Sequence, residues 1–573
     1  MATKSVPSTA AWRLWLVLLA LALLMALLIW RLLTLQVLDT ERGYAFLQGQ
    51  GKARTVRSEV IPAHRGQILD RNGLPLAIST PVATLWANPR ELADARADWP
   101  RLAGALDLPP EQLSRRIQRN AGREFMYLAR HLAPEEAERI MALQLPGVYL
   151  RNEYRRFYPA GEVLAQLVGI TNVDDQGQEG LELAYDHWLA GSPGRKQVLK
   201  NLRGQVVREL GESVPARPGQ DLQLAIDLRL QYLAYRELKA ALVRHQARSG
   251  SIVMLDSQSG EVLAMVNQPS FNPNNRRQYR PEAARNRAVT DLMEPGSTVK
   301  PMTLVAALES GRYSLDSTVD TSPGHLRVGG KTLLDPVNYG ELDLAHVLAK
   351  SSQVGISKIA LSLQPEDLWE VFSRFGLGQL TDSGFPGEQP GLLLNRPRWQ
   401  PIEQATLSFG YGLSVTPLQL ARAYAVFAAE GQWRPVSMLR VTAPPEGRQV
   451  IAPAIAGQVS RMLKAVTEPG GTGTRAALPT YSVAGKTGTA HKVGAGGYAD
   501  SRYVSVFAGF APASEPRVVT VVVIDEPGGG LYHGGQVAAP LFARVTGEAL
   551  RLLSVAPDRM LVAEHDRQGG AAG

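Results

Sequence analysis

The chain has 573 residues, 45% of them apolar and 20% charged, a composition that supports folded cores and excludes a largely disordered chain. Its net charge of +8 is carried mostly by arginine, with no long basic run or aromatic–basic interleaving, so nucleic acid is excluded as a partner and the excess reads as a diffuse surface property. There are no cysteines, which removes disulfides, thiol catalysis and Cys-based zinc sites, and the nine histidines lack metal-ligand spacing, so neither metal nor cofactor is expected.

At the N-terminus an uncharged, Leu-rich run extends from Leu14 to Trp30 between Arg13 and Arg31. With Leu32 and Leu33 it approaches the length of a bilayer-spanning helix. Lys4 and Arg13 precede it and no acidic residue appears before Asp39, which predicts residues 1–13 in the cytoplasm. A cleaved signal peptide needs small residues just beyond the apolar run, and Trp30-Arg31-Leu32-Leu33 offers none. Residues 14–33 therefore read as an uncleaved single-span anchor with everything after it exported; Trp12, Trp15 and Trp30 suit the membrane interface.

Residues 36–219 mix short apolar runs with charged turns. In Arg65-Gly66-Gln67-Ile68-Leu69-Asp70-Arg71-Asn72-Gly73, the Asn72-Gly73 pair between Ile68-Leu69 and Leu76-Ala77-Ile78 predicts a hairpin. Glu111 to Arg119 and Pro134 to Leu143 read as small helices, and Arg156-Phe157-Tyr158-Pro159-Ala160-Gly161 through Gly180-Leu181-Glu182 as loop-rich chain. No nucleophile–base pair appears, so this region is expected to be an elongated non-catalytic pedestal.

A boundary is expected near Pro218-Gly219-Gln220. Beyond it, Asp221 to Asp227 alternates as a strand and Leu228 to Ala247 has helical periodicity. Ser251 to Asp256 and Glu261 to Val266 form a second predicted hairpin. Ser505 to Ala511 and Arg517 to Ile524 read as strands, and Val537 to Leu553 as a closing helix. Strands at both ends with helices between imply an α+β (α/β-type) domain over 220–560, with pairing between distant segments. The Gly-rich residues 561–573 are expected to be a disordered tail.

The chemistry concentrates in Ser297-Thr298-Val299-Lys300 and, far downstream, Lys486-Thr487-Gly488-Thr489. A serine hydroxyl needs a base within hydrogen-bond reach to act as a nucleophile. Residues three apart share a helix face, which predicts the Lys300 ammonium beside the Ser297 hydroxyl. A lysine among cationic or apolar groups can lose its proton and accept the serine's. Pro301 is best tolerated near a helix start, so Ser297 is expected at an N-terminal end, where developing negative charge is favoured. By chance about one S-x-x-K is expected and only about 0.05 K-T-G, so the ordered pair carries far more weight than either motif alone.

Together these residues resemble the class B penicillin-binding proteins, the serine D,D-transpeptidases that cross-link bacterial peptidoglycan. The resemblance covers nearly the whole chain: the anchor, the Arg65-Gly66 to Gly73 motif, the Arg156 to Gly161 and Gly180-Leu181-Glu182 segments, Ile226-Asp227, Glu294 to Pro301, Thr416-Pro417-Leu418-Gln419, Gly471-Thr472-Gly473-Thr474 and Ala484 to Thr489. The length, anchor and motif wording look most like the division-specific member of that family. The resemblance implies a transpeptidase/serine β-lactamase-like domain, with a central antiparallel sheet flanked by helices. It also implies that Ser297 is the nucleophile and Lys300 its general base. Ser351 of Ser351-Ser352-Gln353 would shuttle a proton to the leaving amine. Lys486 with Thr487, Gly488 and Thr489 would lie on an edge strand binding the substrate main chain and terminal carboxylate, and the backbone N–H groups of Ser297 and Thr489 would form the oxyanion hole. Implied partners are peptidoglycan stem peptides, lipid-linked glycan strands, β-lactam antibiotics, the bacterial inner membrane, a polytopic glycosyltransferase and other divisome proteins, with the catalytic domain in the periplasm.

One departure stands out. The family's second motif is S-x-N, whereas residue 353 is glutamine. Gln353 keeps the amide but adds a methylene and a torsion, displacing its hydrogen bonds to substrate and Lys300. The site tolerates glutamine, or it marks a conditionally used paralogue, or activity is degenerate. Against the transpeptidase stand two alternatives. A β-lactam-hydrolysing enzyme would need a route for deacylating water, for which no motif is found. A β-lactam-binding scaffold or sensor would be expected to carry a cytoplasmic signalling region, and only about a dozen residues precede the anchor.

Overall fold

The computed structural model describes residues 11–36, 56–200, 206–494 and 497–559; the expected tail at 561–573 and residues 1–10 lie outside the described residues. The chain divides into two compact units, one of residues 1–64, 81–153 and 191–218, the other of residues 65–80, 154–190 and 219–573.

In the first unit, Ala11–Gln36 is a continuous helix, and its segment Ala11–Leu35 is long and apolar enough to cross a membrane, with a mean hydropathy of 2.7 and none of it buried. A helix apolar on every side has no polar face to present to water. Strand Val56–Ile61 pairs antiparallel with Gly194–Lys200, which pairs in turn with Val206–Val214. A separate lobe packs four short helices onto Leu85, Ala87, Met126, Leu128 and Val148. Two of them are those expected from sequence, Pro110–Arg119 and Pro134–Met141. Each begins with proline, carries glutamate in its first turn and arginine in its last, which suits the helix dipole. Leu113 and Ile117, one turn apart, bury the first of them.

In the second unit, the predicted Asn72-Gly73 hairpin forms between Ile68–Leu69 and the strand starting at Pro75, and the Asp70 carboxylate accepts the N–H groups of Asn72 (2.7 Å) and Leu74 (2.8 Å). Three motifs that sequence reading left without a role meet here. Glu182, fully buried, accepts from Arg65 Nε at 2.8 Å and Arg156 Nε at 2.6 Å, while Arg65 Nη1 reaches Asp186 at 2.7 Å. Buried charges persist only when paired and hydrogen-bonded, so this knot ties residues more than a hundred positions apart.

Five antiparallel strands form the sheet, in the order Val262–Gln268, Ser249–Asp256, Val518–Asp525, Gly497–Ala511 and Ala484–Gly494. Alternate residues face opposite ways. Ile252, Met254, Phe507 and Val522 pack under helices Leu228–Arg244 and Gly534–Leu552. Val253, Leu255, Val506 and Val521 face a larger cluster that includes Val299, Leu304 and Leu418. This is the expected α+β arrangement, a central antiparallel sheet flanked by helices.

Two local expectations change. Of the strand expected over Asp221 to Asp227, Leu222–Gln223 forms a strand parallel to Ile68–Leu69 and Leu224 bridges singly to Leu439, while Asp227 is used as the N-cap of the following helix. Ser297 lies not on an α-helix but in the 3-10 turn Gly296–Val299, and the α-helix begins at Lys300. Pro301 explains the boundary, since it lacks the N–H that a helix interior requires.

Candidate active site

The 3-10 turn carrying Ser297 is pinned from behind. Thr298 Oγ1 donates to Pro295 O at 2.7 Å, Tyr424 OH donates to Thr298 O at 2.7 Å, and Thr303 Oγ1 donates to Ser408 O at 2.8 Å. In front, the turn lies against strand Ala484–Gly494. A Cβ added to Gly488 would sit 2.8 Å from Thr298 Cγ2 and 2.9 Å from Pro295 O, so only glycine permits this approach. A 3-10 turn brings positions i and i+3 nearly into register, which keeps Ser297 and Lys300 on one side.

Lys300 is fully buried. Its Nζ donates to Ser351 O at 2.6 Å, Ser351 Oγ at 3.2 Å and Ser352 O at 3.2 Å; among the described residues no hydrogen bond joins it to Ser297 Oγ, contrary to the contact expected from their spacing. The reason is that Ser351 and Ser352 offer two carbonyl acceptors in a region without water competition. Lys486, also fully buried, reaches the same hydroxyl from the strand, with Nζ 3.0 Å from Ser351 Oγ and 3.2 Å from both Thr487 O and Thr487 Oγ1. Thr487 Oγ1 is in turn 3.0 Å from Thr472 Oγ1. Ser351 achieves its place with a backbone φ of +57°, unusual for a residue other than glycine.

Burial pulls the Lys300 ammonium down to about 7, with the Asp335 carboxylate opposing the shift. Lys486 is held well below the ordinary lysine value by burial and by the nearby Lys300. Two lysines whose protons are loosely held therefore converge on one hydroxyl.

Ser297, Ser351, Gln353, Thr487 and Thr489 line one cleft of about 800 Å³. Lys486, Thr487, Gly488 and Thr489 occupy its edge strand and, among the described residues, pair on the inner side alone, with Ala508, Phe507, Val506 and Ser505, which leaves an outer edge for an extended peptide. Thr489 Oγ1 accepts the N–H of Gly534 at 3.0 Å. Gln353 opens helix Gln353–Leu361 and donates its backbone N–H to Asp335 at 2.6 Å; among the described residues, no hydrogen bond joins its side-chain amide to Lys300.

Residues 250–547 match the penicillin binding protein transpeptidase domain, and residues 60–224 the penicillin-binding protein dimerisation domain. The chain is 46% identical to the peptidoglycan D,D-transpeptidase FtsI of Escherichia coli K12, over 95% of this chain and 92% of that one. The chain belongs to the class B penicillin-binding proteins. It is 45% identical to the probable peptidoglycan D,D-transpeptidase PbpC of Pseudomonas aeruginosa, covering 92% of this chain and 93% of the relative. Among solved structures, penicillin binding protein 3 of Mycobacterium tuberculosis, complexed with aztreonam, superposes with a TM-score of 0.68 at 28% identity, covering 88% of this chain and 99% of that chain.

Sequence reading of this class B penicillin-binding protein missed two groups at the cleft. Asp335 comes from the loop after strand Lys331–Leu334, and no local motif marks it. The second group is an aromatic tier on the cleft wall. Tyr503 stacks on Tyr532 with ring centroids 4.1 Å apart, His491 lies 4.6 Å from Tyr503, and His533 lies 4.4 Å from Tyr532. Its only sequence signal is the presence of aromatic residues in three segments, two sheet strands and the loop before helix Gly534–Leu552, that the fold brings together.

Proposed function

We propose that this class B penicillin-binding protein is a peptidoglycan D,D-transpeptidase that works through an acyl-enzyme on Ser297. The observation that carries the assignment of roles is the convergence of Lys300 and Lys486 on Ser351 Oγ in the cleft that Ser297 lines. Lys300, lowered to about 7, is in part unprotonated at neutral pH and takes the Ser297 proton as its oxygen attacks the D-Ala-D-Ala carbonyl. The backbone N–H groups of Ser297 and Thr489 hold the tetrahedral oxyanion, an interaction whose loss in acyl transfer costs about 3–4 kcal/mol. The proton passes by Ser351 to the departing amine, the C–N bond breaks, and D-alanine leaves. An amine from a neighbouring stem then attacks the acyl-enzyme, loses its proton along the same relay and regenerates Ser297. Lys486, Thr487 and Thr489 orient the donor peptide and its carboxylate. A β-lactam enters as a donor analogue and stays attached to Ser297.

Residues 14–33 are the membrane anchor, 36–219 the pedestal and 220–560 the catalytic domain, with the N-terminus in the cytoplasm and the catalytic domain in the periplasm. Septal synthesis is the proposed setting, with a polytopic glycosyltransferase and divisome proteins as partners; the similarity to FtsI supports it. A conditionally used paralogue is the second reading, favoured by Gln353 where the family motif has asparagine.

Labelling of the full chain by a fluorescent penicillin tests the mechanism. Wild type should label covalently and Ser297→Ala should not; undiminished labelling of Ser297→Ala sinks it. A tenfold or greater gain in acylation rate for Gln353→Asn supports the paralogue, and a smaller change supports the septal enzyme.

A further inference from the structure

Asp335 sits at the mouth of a helix whose first residue lines the cleft. Both its oxygens are engaged there: Oδ2 accepts Ser352 Oγ at 2.5 Å, and Oδ1 accepts the backbone N–H groups of Gln353 at 2.6 Å and Val354 at 3.2 Å. Ser352 Oγ accepts the N–H of Gly355 at 2.8 Å. Three first-turn donors of helix Gln353–Leu361, which have no partner within the helix, are thereby satisfied, and a carboxylate stands at the positive end of the helix. Ser352 is fully buried and Asp335 nearly so.

The residue before this clamp is Ser351, whose positive φ must be imposed by its surroundings. On one side its N–H is held by Leu348 O at 3.1 Å; on the other, Ser352 is held by Asp335. The carbonyls of Ser351 and Ser352 are also acceptors for Lys300 Nζ. One carboxylate thus fixes the peptide units that orient both the Ser351 hydroxyl and the Lys300 ammonium, and it does so through Ser352 and the backbone at 353 and 354.

We propose that Asp335 is a positioning residue for acyl transfer, and that by fixing Ser351 and Lys300 from the backbone side it relieves residue 353 of that task, which is why glutamine is accommodated there. The inference rests on the roles proposed above for Ser297, Lys300 and Ser351. Its electrostatic consequence has a definite sign. The charged groups facing Lys300 are Asp335, which raises its proton affinity against burial, and Lys486. Neutralising residue 335 lets the Lys300 proton leave at lower pH.

The test is the rate of acylation of the full chain by a fluorescent penicillin between pH 5 and 9, for wild type, Asp335→Asn and Ser352→Ala. Asp335→Asn should be at least tenfold slower at pH 8, and its rising limb should lie at lower pH than that of wild type. Ser352→Ala, which retains the charge, should be slowed with its limb unmoved. The inference is overturned by an Asp335→Asn rate within threefold of wild type, or by a slowed variant whose limb has not shifted. If Asp335→Asn does not fold, Ser352→Ala decides, and a rate within threefold of wild type overturns it. Wild type that labels elsewhere than Ser297 breaks the underlying mechanism instead; labelling at Ser297 that is indifferent to Asp335 breaks only this inference.

Discussion

Lys300 and Lys486 place their ammonium nitrogens 3.2 and 3.0 Å from a single oxygen, the hydroxyl of Ser351. Two like charges this close cannot both keep their protons easily, and neither is relieved by water, since both side chains are fully buried. A hydroxyl that can donate to a neutral amine and accept from a charged one is the bridge such a pair needs.

The pH dependence follows from Lys300. Its ordinary value near 10.5 is lowered to about 7, so the unprotonated form required of a general base accumulates as pH rises through 7. Acylation should increase from pH 5.5 to 7.5 and level off above. A fluorescent-penicillin rate profile that is flat across this range contradicts the role given to Lys300.

Ser351 separates chemistry from stability. Ser351→Ala removes the bridging oxygen and should slow acylation by about 10²–10⁴-fold, the range for a general acid–base group. Ser351→Gly should be as slow, yet more stable than Ser351→Ala by about 1 kcal/mol, because glycine carries no Cβ penalty at a φ of +57°. Urea denaturation of the two variants measures the difference.

Gly488→Ala should displace the edge strand from the serine turn, because the new methyl carbon would stand 2.9 Å from Pro295 O. Movement of about 1 Å costs about a hundredfold in rate when reacting groups must be aligned. The expected result is a folded protein that acylates about a hundredfold more slowly; wild-type kinetics would show that the strand has room to spare.

Glu182→Ala should act on the fold rather than the reaction. It leaves Arg65 and Arg156, both buried, without their shared carboxylate. Breaking a buried ion pair from one side typically destabilises by about 3–5 kcal/mol. A fall in the denaturation midpoint, with residual folded protein still labelling, is the expected outcome.

Removal of residues 1–36 should release the protein from membranes without loss of penicillin labelling, checked by fractionation of cells producing both forms. Retention in the membrane fraction would assign membrane binding to another part of the chain.

Local patterns determined much of this protein. The apolar N-terminal run, the Asn72-Gly73 hairpin, the alternation of the sheet strands and the helix ended at its start by Pro301 all depend on residues within a few positions of one another, where backbone sterics and side-chain period act directly. The wording of Ser297 to Lys300 and Lys486 to Thr489 also carried the family and its chemistry. Tertiary structure alone decided that Lys300 is anchored by Ser351 and Ser352 rather than by Ser297. It also decided that Lys486 meets Ser351 across 135 positions of sequence, that Arg65 and Arg156 share Glu182, and that Asp335 holds the turn beside Gln353. These contacts depend on sheet register and on which buried donors find acceptors once water is excluded. That competition is settled among groups distant in the chain, and no local period encodes its result.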